Sequence, residues 1–367
     1  MAVPVRIPET TFWQLEVCNA CRYCEGYCAV FPALERRRRF TPADVVYLAN
    51  LCHDCRACFY ACMYAPPHEF GVNIPKALAE VRERTYAEYA LPRVGADLAQ
   101  RSGRILWVVA IVSLVFFVVV ALSFGQGLTG VQVGPGAFYR VVPYVAMVVP
   151  AAALSVYAVG VMIASAFAFV RSTRGGAAER VQWRFALVAL REALGLRYLR
   201  GGTAGGCYYP TERVSNGRLV LHMLVFYGFL SALVATAVAA VLQDVLDQLP
   251  PYPLLSVPVV LGSVGGVAMI VGATGLLILK ARADRTPADQ RTLNLDWLFL
   301  VSLDVVSITG MLLLVLRDTP AMGVLLVVHL ATVLALYVSA PYGKFAYFIY
   351  RYAALVQNRA ESARPGR

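Results

Sequence analysis

The sequence predicts a mainly α-helical protein, made of a small cysteine-rich head followed by a six-helix transmembrane bundle. Three observations lead to this prediction. Eight of the nine cysteines lie in two matched runs between Cys18 and Cys62, six long apolar stretches follow residue 104, and the residues between the runs show little of the alternation typical of strands. The chain is 59% hydrophobic and has a net charge of +11, which fits a protein with a large membrane domain.

Short helices are predicted around the two cysteine runs. Thr41 followed by Pro42 is a helix start, because the hydroxyl caps free backbone N–H groups and proline suits the first helical position. Thr10 or Thr11 is expected to cap the helix that leads into the first run, and residues 74–90 are expected to form another helix after the second. The head is therefore expected to be α-helical.

The two cysteine runs have the spacing C-x2-C-x2-C-x3-C, and the second repeats the first 34 residues later (Cys18 to Cys52). They consist of Cys18, Cys21, Cys24 and Cys28, and of Cys52, Cys55, Cys58 and Cys62. This spacing resembles the iron–sulfur ligation run of bacterial-type ferredoxins, and two runs predict two [4Fe-4S] clusters. A protein with two such clusters is expected to transfer electrons.

Disulfides and zinc are the alternatives for these thiols. Disulfides would not need this regular spacing, and thiols in a reducing compartment stay reduced. Zinc sites usually consist of two pairs of ligands separated by a longer gap, rather than four thiols within one short segment. The spacing therefore favours iron–sulfur clusters, since thiolates at this density suit iron.

The six apolar stretches are each long enough to cross a bilayer, because about 20 apolar residues span the hydrocarbon core as a helix. A single stretch of this kind could be a buried helix of a soluble protein, whereas six in succession indicate a membrane domain. They cover residues 105–124, 141–170, 219–242, 254–279, 295–316 and 321–340.

The arginines and lysines predict the orientation of the membrane domain. Nine arginines lie in residues 171–218 and four more basic residues in 280–292, whereas the opposite loops carry only Arg140 and Arg317. By the positive-inside rule, both termini and the head are expected on the cytoplasmic side of the cytoplasmic membrane, so the charge reflects topology rather than nucleic-acid binding. The predicted division is a two-cluster head at 1–90, a basic linker at 91–104, the transmembrane domain at 105–341 with a cytoplasmic loop at 171–218, and a basic cytoplasmic tail at 342–367.

His222 and His329 lie within the apolar stretches, where ionisable residues are usually functional. Beside an electron-transfer head, they are candidate axial ligands of haem b or hydrogen-bond partners of a quinone. His222 is expected about 5 Å from the cytoplasmic edge and His329 about 18 Å, at roughly 1.5 Å per residue. This difference disfavours ligation of one iron by both, and a polar histidine without a cofactor is the alternative. Asp304 is expected to pair with Ser307 or with an arginine.

The run Arg36–Arg39 has two interpretations. It is either a solvated face that balances the charge of the clusters, or a docking patch for an acidic partner or anionic lipid. Cys207, the ninth cysteine, is expected to be structural. The sequence shows no flavin or nicotinamide fingerprint. The catalytic flavin is therefore expected on another polypeptide, which predicts a flavoprotein dehydrogenase as partner.

Several further motifs resemble those of the tricarballylate (citrate) utilisation protein B family. They are Gly206-Cys207-Tyr208-Tyr209-Pro210, Arg218, His222, Phe226-Tyr227-Gly228-Phe229, Gly310-Met311-Leu312-Leu313-Leu314, His329 and Pro341-Tyr342-Gly343-Lys344-Phe345. The head is also similar to the α-helical ferredoxin type of succinate dehydrogenase and heterodisulfide reductase subunits. That similarity implies one cluster on Cys18, Cys21, Cys24 and Cys62, and the other on Cys52, Cys55, Cys58 and Cys28.

The family resemblance implies an electron carrier that reoxidises the reduced flavin of a dehydrogenase, which converts tricarballylate to cis-aconitate, and that passes the electrons to the membrane quinone pool. It also implies His222 and His329 as haem ligands, although the chain carries Met223, Gln243 and Tyr347 where the family commonly has histidine. The alternatives are a different donor, such as succinate, a glycolate-like acid or a heterodisulfide, and a carboxylate transporter with a redox-sensing head. Paired broken helices, which would favour a transporter, are not evident.

Overall fold

The computed structural model describes residues 3–93, 104–174 and 182–363. Residues 94–103 of the predicted basic linker lie outside this part of the chain. The described chain is almost entirely helical, and its strands are limited to a two-stranded antiparallel ribbon of β1 (Cys207–Tyr208) and β2 (Val214–Ser215). This confirms the prediction of a mainly α-helical protein.

The head is a compact group of short helices around a hydrophobic core. The helices are α1 (Glu9–Cys21), α2 (Val30–Glu35), α3 (Pro42–Leu51), α4 (Ala57–Tyr60) and α5 (Ile74–Tyr89). Helix α5 confirms the helix that was predicted after the second cysteine run. It packs against α1, α3 and α4, so the two cysteine runs are held between helices.

The predicted helix start at Thr41 is confirmed. The Thr41 side chain accepts the backbone N–H of Asp44, and the Asp44 carboxylate accepts the backbone N–H of Thr41 in return. The predicted cap at Thr10 or Thr11 is wrong. Helix α1 begins directly after Pro8, whose carbonyl accepts the Thr11 N–H, so both threonines lie inside the first turn.

The membrane domain contains, within the described residues, six helices that are long and apolar enough to cross a bilayer. This confirms the predicted multi-pass membrane protein. The helices are α6 (Arg104–Phe124), α8 (Tyr144–Thr173), α10 (Gly217–Asp244), α11 (Val257–Ala281), α12 (Gln290–Val315) and α13 (Met322–Ser339).

The spanning helices pack in two groups that meet at α12 and α13. Helices α6, α8 and α12 pack against α13, and α12 also packs against α11, which pairs closely with α10. A Cβ built on Gly228 of α10 would lie 2.8 Å from the Gly265 carbonyl oxygen, and one built on Gly265 would lie 2.6 Å from the Gly228 carbonyl oxygen. Only glycine permits this approach, which is a common basis of helix pairing in membranes.

Three further helices do not span the membrane: α7 (Ala137–Val141), α9 (Trp183–Leu194) and α14 (Tyr347–Ser362). The segments Arg197–Arg200, Gly202–Ala204, Ala340–Tyr342 and Lys344–Ala346 form 3-10 turns. Helices α9 and α14 lie on the side of the membrane domain that carries the head, and α14 packs against α3, α8 and α9. The predicted tail at 342–367 therefore contains a helix whose buried Tyr350 and Leu355 share one hydrophobic core with Val45 and Leu78 of the head.

Candidate metal centre and its junction with the membrane domain

Two cavities in the head are lined by the eight cysteines of the two runs. The first is lined by Cys18, Cys21, Cys24, Cys58 and Cys62. The second is lined by Cys28, Cys52, Cys55 and Cys58. Apart from Cys58, which reaches both cavities, the lining sets are those of the predicted assignment, in which the fourth cysteine of each run crosses to the other cluster.

The backbone between the second and third cysteines of each run takes the same unusual conformation. Helix α1 ends at Cys21, and Arg22 has a left-handed backbone with φ of 55°. Arg56, the equivalent residue 34 positions later, has φ of 65°. This region is rare for residues other than glycine, and it reverses the chain so that the next cysteine turns back toward the cavity. The two runs therefore share a backbone conformation as well as their cysteine spacing.

The surroundings of the two cavities differ. The first opens toward solvent, since Tyr23 and Met63 in its wall are each 59% exposed and Arg22 is also exposed. None of the residues that line the second is exposed, and Arg56 in its wall is only 2% exposed. The Arg56 guanidinium lies 4.7 Å from the ring centroid of Tyr209 and donates a hydrogen bond of 2.8 Å to the backbone carbonyl of Asp284.

Backbone carbonyls in the wall of the second cavity receive hydrogen bonds from the head itself and from the membrane-domain side. The Cys52 carbonyl accepts from the Arg82 guanidinium of the head at 2.9 Å and from the Tyr347 hydroxyl of α14 at 3.3 Å. The Asp54 carbonyl accepts from Arg218, in the first turn of α10. The second cavity is therefore joined directly to a membrane-spanning helix.

Burial raises the pKa values of several cysteine thiols that line the cavities. It raises the pKa of Cys18 and of Cys24 to about 12, and the neighbouring thiols add to the effect. The same cause raises the pKa of Cys28 to about 12. Buried thiols without a metal therefore stay protonated, and the positive charge of iron is what would stabilise them as thiolates, with release of protons on binding.

A buried arginine lies near two of the cysteines that line the second cavity. Arg351 of α14 lies close to Cys28 and Cys52, and burial lowers the pKa of its guanidinium to about 9 although these thiols oppose the shift. Its Nη1 donates to the Tyr347 hydroxyl, whereas Nη2 has no hydrogen-bond partner among the described residues. An iron–sulfur cluster held by four thiolates is an anion, and it would supply the negative partner that this buried cation lacks. The residues therefore fit a cluster.

Among the described residues, no group of three or more His, Cys, Asp or Glu side chains is arranged to hold one ion. Thiolates on one tetrahedral zinc, with Zn–S bonds of about 2.3 Å, would have to lie close to each other. Thiolates of a cubane cluster each bind a different iron, and they are spread around a larger group.

The ninth cysteine lies beside the second cavity without lining it. Cys207 is buried in the same small hydrophobic cluster as Cys55, Ala57 and Leu199. Its thiol donates a hydrogen bond of 2.8 Å to the Leu199 carbonyl. This placement agrees with the structural role expected for Cys207.

His222 lies on α10 one turn beyond Arg218, and so on the same face of the helix. Its Nδ1 is buried and has no hydrogen-bond partner on another described residue. Asp296 and Lys344 lie near the imidazole. Asp296 forms ion pairs of 2.5 Å with Lys280 and 2.7 Å with Lys344. The sequence does not single out Asp296, because it stands near the end of an apolar stretch and its partners come from two other segments.

His329 has different neighbours. Its Nδ1 lies 3.1 Å from the hydroxyl of Thr309 on α12. A Cβ built on Gly310 would lie 2.9 Å from the His329 Cε1, so the imidazole packs directly against this glycine. The environment of His329 is that of a polar side chain with a hydrogen-bond partner inside the bundle.

The structure does not bring His222 and His329 together. His222 lies near Asp296 and His329 contacts Thr309, and these two residues of α12 are 13 positions apart (309 − 296), or roughly 20 Å at 1.5 Å per residue. One haem iron with two axial imidazoles needs both nitrogens a few ångströms apart. His222 and His329 are therefore not a pair of ligands to the same haem iron, in agreement with the depths expected from the sequence.

Asp304 has a partner that the sequence did not indicate. Its carboxylate accepts a hydrogen bond of 2.8 Å from the Thr274 hydroxyl of α11. The Ser307 hydroxyl donates instead to the Leu303 carbonyl of its own helix. The expected pairing with Ser307 or an arginine is therefore wrong, because the nearest polar group belongs to a neighbouring helix.

The arginine run between the cysteine motifs is divided between two environments. Arg36 donates to the Asn358 side chain at 2.6 Å, and Arg37 forms ion pairs with Asp44 at 2.5 Å and with Glu361 at 3.0 Å. Arg38 and Arg39 are exposed. The first half of the run thus holds α14 on the head, which neither interpretation from the sequence included.

Comparisons with known proteins match two parts of the chain to family models. The family model of citrate utilization protein B matches residues 97–367, and the model of the Fer4-like domain of that protein matches residues 12–88. The chain is also 41% identical over 353 residues to citrate utilization protein B of Escherichia coli, with 95% of this chain and 91% of the relative covered. No solved structure matches the chain significantly. The Fer4-like match indicates an iron–sulfur electron-transfer role for the domain that contains the two cavities.

Proposed function

The chain belongs to the citrate utilization protein B family, and on this basis we propose that it carries electrons from the reduced flavin of a partner dehydrogenase to a quinone in the membrane. Two [4Fe-4S] clusters on the eight cysteines would supply the one-electron carriers. The dehydrogenase is a separate polypeptide that oxidises tricarballylate, and it meets the head in the cytoplasm, on the basic side of the cytoplasmic membrane.

The observation that carries this proposal is the difference between the two cavities. The first has exposed Tyr23 and Met63 in its wall, whereas the second has no exposed residue in its wall and is bonded to α10 through Arg218 and Asp54. A chain that only stored or sensed electrons would not need one centre at the surface and another at the membrane domain. This order supports entry of electrons at the first cavity and exit at the second.

An aromatic surface surrounds the entry side. Trp13 and Phe70 are exposed and meet edge to face with 5.7 Å between ring centroids. Phe70 stacks on Tyr64 at 5.6 Å, and Tyr64 lines the first cavity together with Met63 and Tyr23. We call Trp13, Tyr23, Met63 and Phe70 the entry surface. Exposed aromatic and methionine side chains favour a protein contact, and a flavoprotein docked here would bring its flavin close to the first cavity.

The exit side has the groups that quinone reduction requires. A quinone becomes a quinol by taking up two electrons and two protons. The buried Nδ1 of His222 has no partner among the described residues, and it lies near Asp296 and Lys344. His222 is suited to form a hydrogen bond with a quinone carbonyl, and the buried Lys344 ammonium is suited to give a proton to an oxygen, whereas Asp296 is held as a carboxylate between Lys280 and Lys344. The haem predicted from the family is not needed for this route.

Purified protein tests the proposal. Two cubane clusters should give about eight iron and eight acid-labile sulfide per chain, with an absorbance that dithionite bleaches and a soluble quinone analogue restores. Bound zinc without labile sulfide, or reduced clusters that quinone does not reoxidise, would contradict it. A pyridine haemochrome spectrum of the same sample shows whether haem b is present.

The identity of the donor requires a separate comparison. Flavoproteins that oxidise tricarballylate, succinate or a glycolate-like acid should be mixed with the protein at equal flavin concentrations, and cluster reduction followed after substrate addition. We expect the tricarballylate enzyme to reduce the clusters fastest. Faster reduction by another flavoprotein would keep electron transfer and replace the donor, whereas substrate uptake into vesicles without redox chemistry would favour a transporter.

A further inference from the structure

Helix α9 (Trp183–Leu194) lies outside the six spans and has one face packed against α14. Ala189 and Glu192 of this face are buried. The Tyr352 hydroxyl of α14 donates to the Ala186 carbonyl at 3.0 Å, and Arg359 of α14 donates to the Glu192 carboxylate at 2.8 Å. These contacts fix the rotation of α9 about its own axis, and therefore fix which residues point away from the protein.

The outward face of α9 is apolar. Successive residues of a helix are rotated by about 100° about its axis, and on this basis four apolar side chains of α9 lie within a sector of roughly 60°. They are Trp183, Leu187, Leu190 and Leu194. All four are exposed, and Trp183 has 75% of its surface free. A contiguous apolar stripe of this kind is a site of interaction with a membrane or a protein.

Basic side chains lie next to this stripe. Arg184 and Arg191 lie along one edge of the stripe on the helix surface, and both are exposed. Arg197, just after the helix, pairs with Glu192 at 3.0 Å while most of its side chain stays exposed. A helix with an apolar stripe, a terminal tryptophan and flanking arginines has the pattern of an in-plane helix at a membrane surface.

The position of α9 relative to α10 places it at the level of the bilayer. The Tyr227 hydroxyl of α10 donates a hydrogen bond of 2.8 Å to the Leu194 carbonyl. Tyr227 is ten residues from the start of α10 at Gly217, or about 15 Å along it. The 28 residues of α10 extend over about 42 Å, whereas the hydrocarbon core of a bilayer is about 30 Å thick. If the excess of roughly 12 Å is shared equally between the two ends, α10 enters the core about 6 Å from its first residue. Leu194 therefore lies inside the head-side boundary of the core, and the stripe continues the lipid-facing surface of α10.

We propose that α9 is an in-plane membrane helix that binds anionic phospholipid on the head side of the bilayer. Trp183, Leu187, Leu190 and Leu194 enter the acyl-chain region, and Arg184 and Arg191 contact the phosphate groups. Through Glu192 and Arg359, this contact extends to α14 and the head. The lipid therefore fixes the orientation of the head above the membrane. This inference does not depend on the electron-transfer proposal.

Tryptophan fluorescence in proteoliposomes tests the proposal. The chain has four tryptophans, Trp13, Trp107, Trp183 and Trp297, and phenylalanine at three of them leaves one reporter. Lipids brominated near the headgroup end of the acyl chain should quench Trp183 as strongly as Trp107, which is exposed near the start of span α6. They should leave Trp13 of the head unquenched. Trp183 as resistant as Trp13 would overturn the proposal.

The choice of lipid gives a second measurement. Quenching of Trp183 should be stronger in vesicles that contain phosphatidylglycerol than in phosphatidylcholine alone, and the double variant Arg184→Ala, Arg191→Ala should lose this difference. The matched control is Arg38→Ala, Arg39→Ala, which removes two exposed arginines from the head and should keep it. Equal quenching in both lipids would refute the anionic-lipid contact. Cross-linking of Leu187→Cys between two chains, without quenching, would assign the stripe to a second copy instead.

Discussion

Arg22 and Arg56 occupy the same position in the two cysteine runs and share a left-handed backbone, yet Arg22 is exposed and Arg56 is buried against the membrane domain. Arg56 reaches the Asp284 carbonyl, in the segment between α11 and α12, and lies over the ring of Tyr209. One repeat has thus become two centres with different surroundings. The second copy attaches the head to the membrane domain, and the first keeps its arginine exposed.

Replacement of Arg56 by alanine should loosen the head from the membrane domain. The variant loses a buried hydrogen bond and leaves the Asp284 carbonyl without its donor, a change that typically costs about 1–3 kcal/mol of folding free energy. We expect a lower thermal midpoint for loss of cluster absorbance in detergent. Arg22→Ala is the matched control, because it places alanine at the same left-handed position and removes an exposed side chain. Equal destabilisation by both substitutions would show that the backbone, rather than the contact with Asp284, is responsible.

Met63→Glu should slow electron entry from the flavoprotein. The substitution puts a charge in the centre of the entry surface, where Met63 is exposed and lines the first cavity. Reduction of the clusters by the flavoprotein, followed by stopped-flow absorbance, is expected to slow by about ten-fold, equivalent to about 1.4 kcal/mol. Reduction by dithionite should not change. Phe124→Ala removes another exposed aromatic residue, at the last position of α6, and should leave the flavoprotein rate unchanged. A normal rate for Met63→Glu would move the donor site elsewhere.

Arg37→Ala should release α14 from the head. Arg37 is held by two carboxylates, Asp44 in α3 and Glu361 in α14, and is largely buried between them. Its loss leaves Glu361 without its closest cation, so limited proteolysis should cleave α14 several times faster than in the parent protein. Arg38→Ala, next to it in the same run, removes an exposed arginine and should not alter cleavage. Identical digestion of the two variants would mean that the remaining contacts of α14, such as the Arg36–Asn358 hydrogen bond and the packing of Tyr350, hold the helix without Arg37.

The sequence predicted well those features that depend on the spacing of nearby residues or on the length of an apolar segment. The cysteine runs keep a fixed step, so their repeat could be recognised and their backbone was found to repeat as well at Arg22 and Arg56. The spans depend on length and apolarity, and all six were located. The start of α3 depends on Thr41 and Asp44, three residues apart, and was also correct.

The features that the sequence did not predict depend on contacts between distant segments. Asp296 pairs with Lys280 of the preceding span and with Lys344, which follows the last span. No motif of neighbouring residues in the sequence indicates either pair. Arg37 pairs with Glu361 more than three hundred residues away. The arginine run 36–39, which looks solvated in the sequence, therefore partly forms the contact between the head and α14. Thr274 and Asp304 pair across two helices whose rotation the apolar pattern alone does not determine. Tertiary packing decides each of these.

Cys55→Ser should remove one cluster and Cys207→Ser should remove none. Both cysteines are buried in the same hydrophobic cluster, but only Cys55 lines the second cavity. Serine is a poor ligand for iron compared with a thiolate, so the Cys55 variant should contain about half of the iron and labile sulfide of the parent protein. The Cys207 variant keeps a hydroxyl that can donate to the Leu199 carbonyl in place of the thiol, and it should keep its full iron content. Loss of iron in the Cys207 variant would assign a ligand role to the ninth cysteine.

His222→Gln should impair transfer to quinone, and His329→Gln should not. The two histidines look equivalent in the sequence, but His222 lies one turn from Arg218, which bonds to the wall of the second cavity. Loss of its imidazole should lower the rate of cluster reoxidation by a quinone analogue by about 10- to 100-fold, without changing iron content or reduction by the flavoprotein. His329 already contacts Thr309, deep in the bundle, and its substitution should affect stability alone. A parent-like quinone rate in the His222 variant, or a comparable loss in the His329 variant, would place the exit of electrons away from the junction and restore the case for a haem in the bundle.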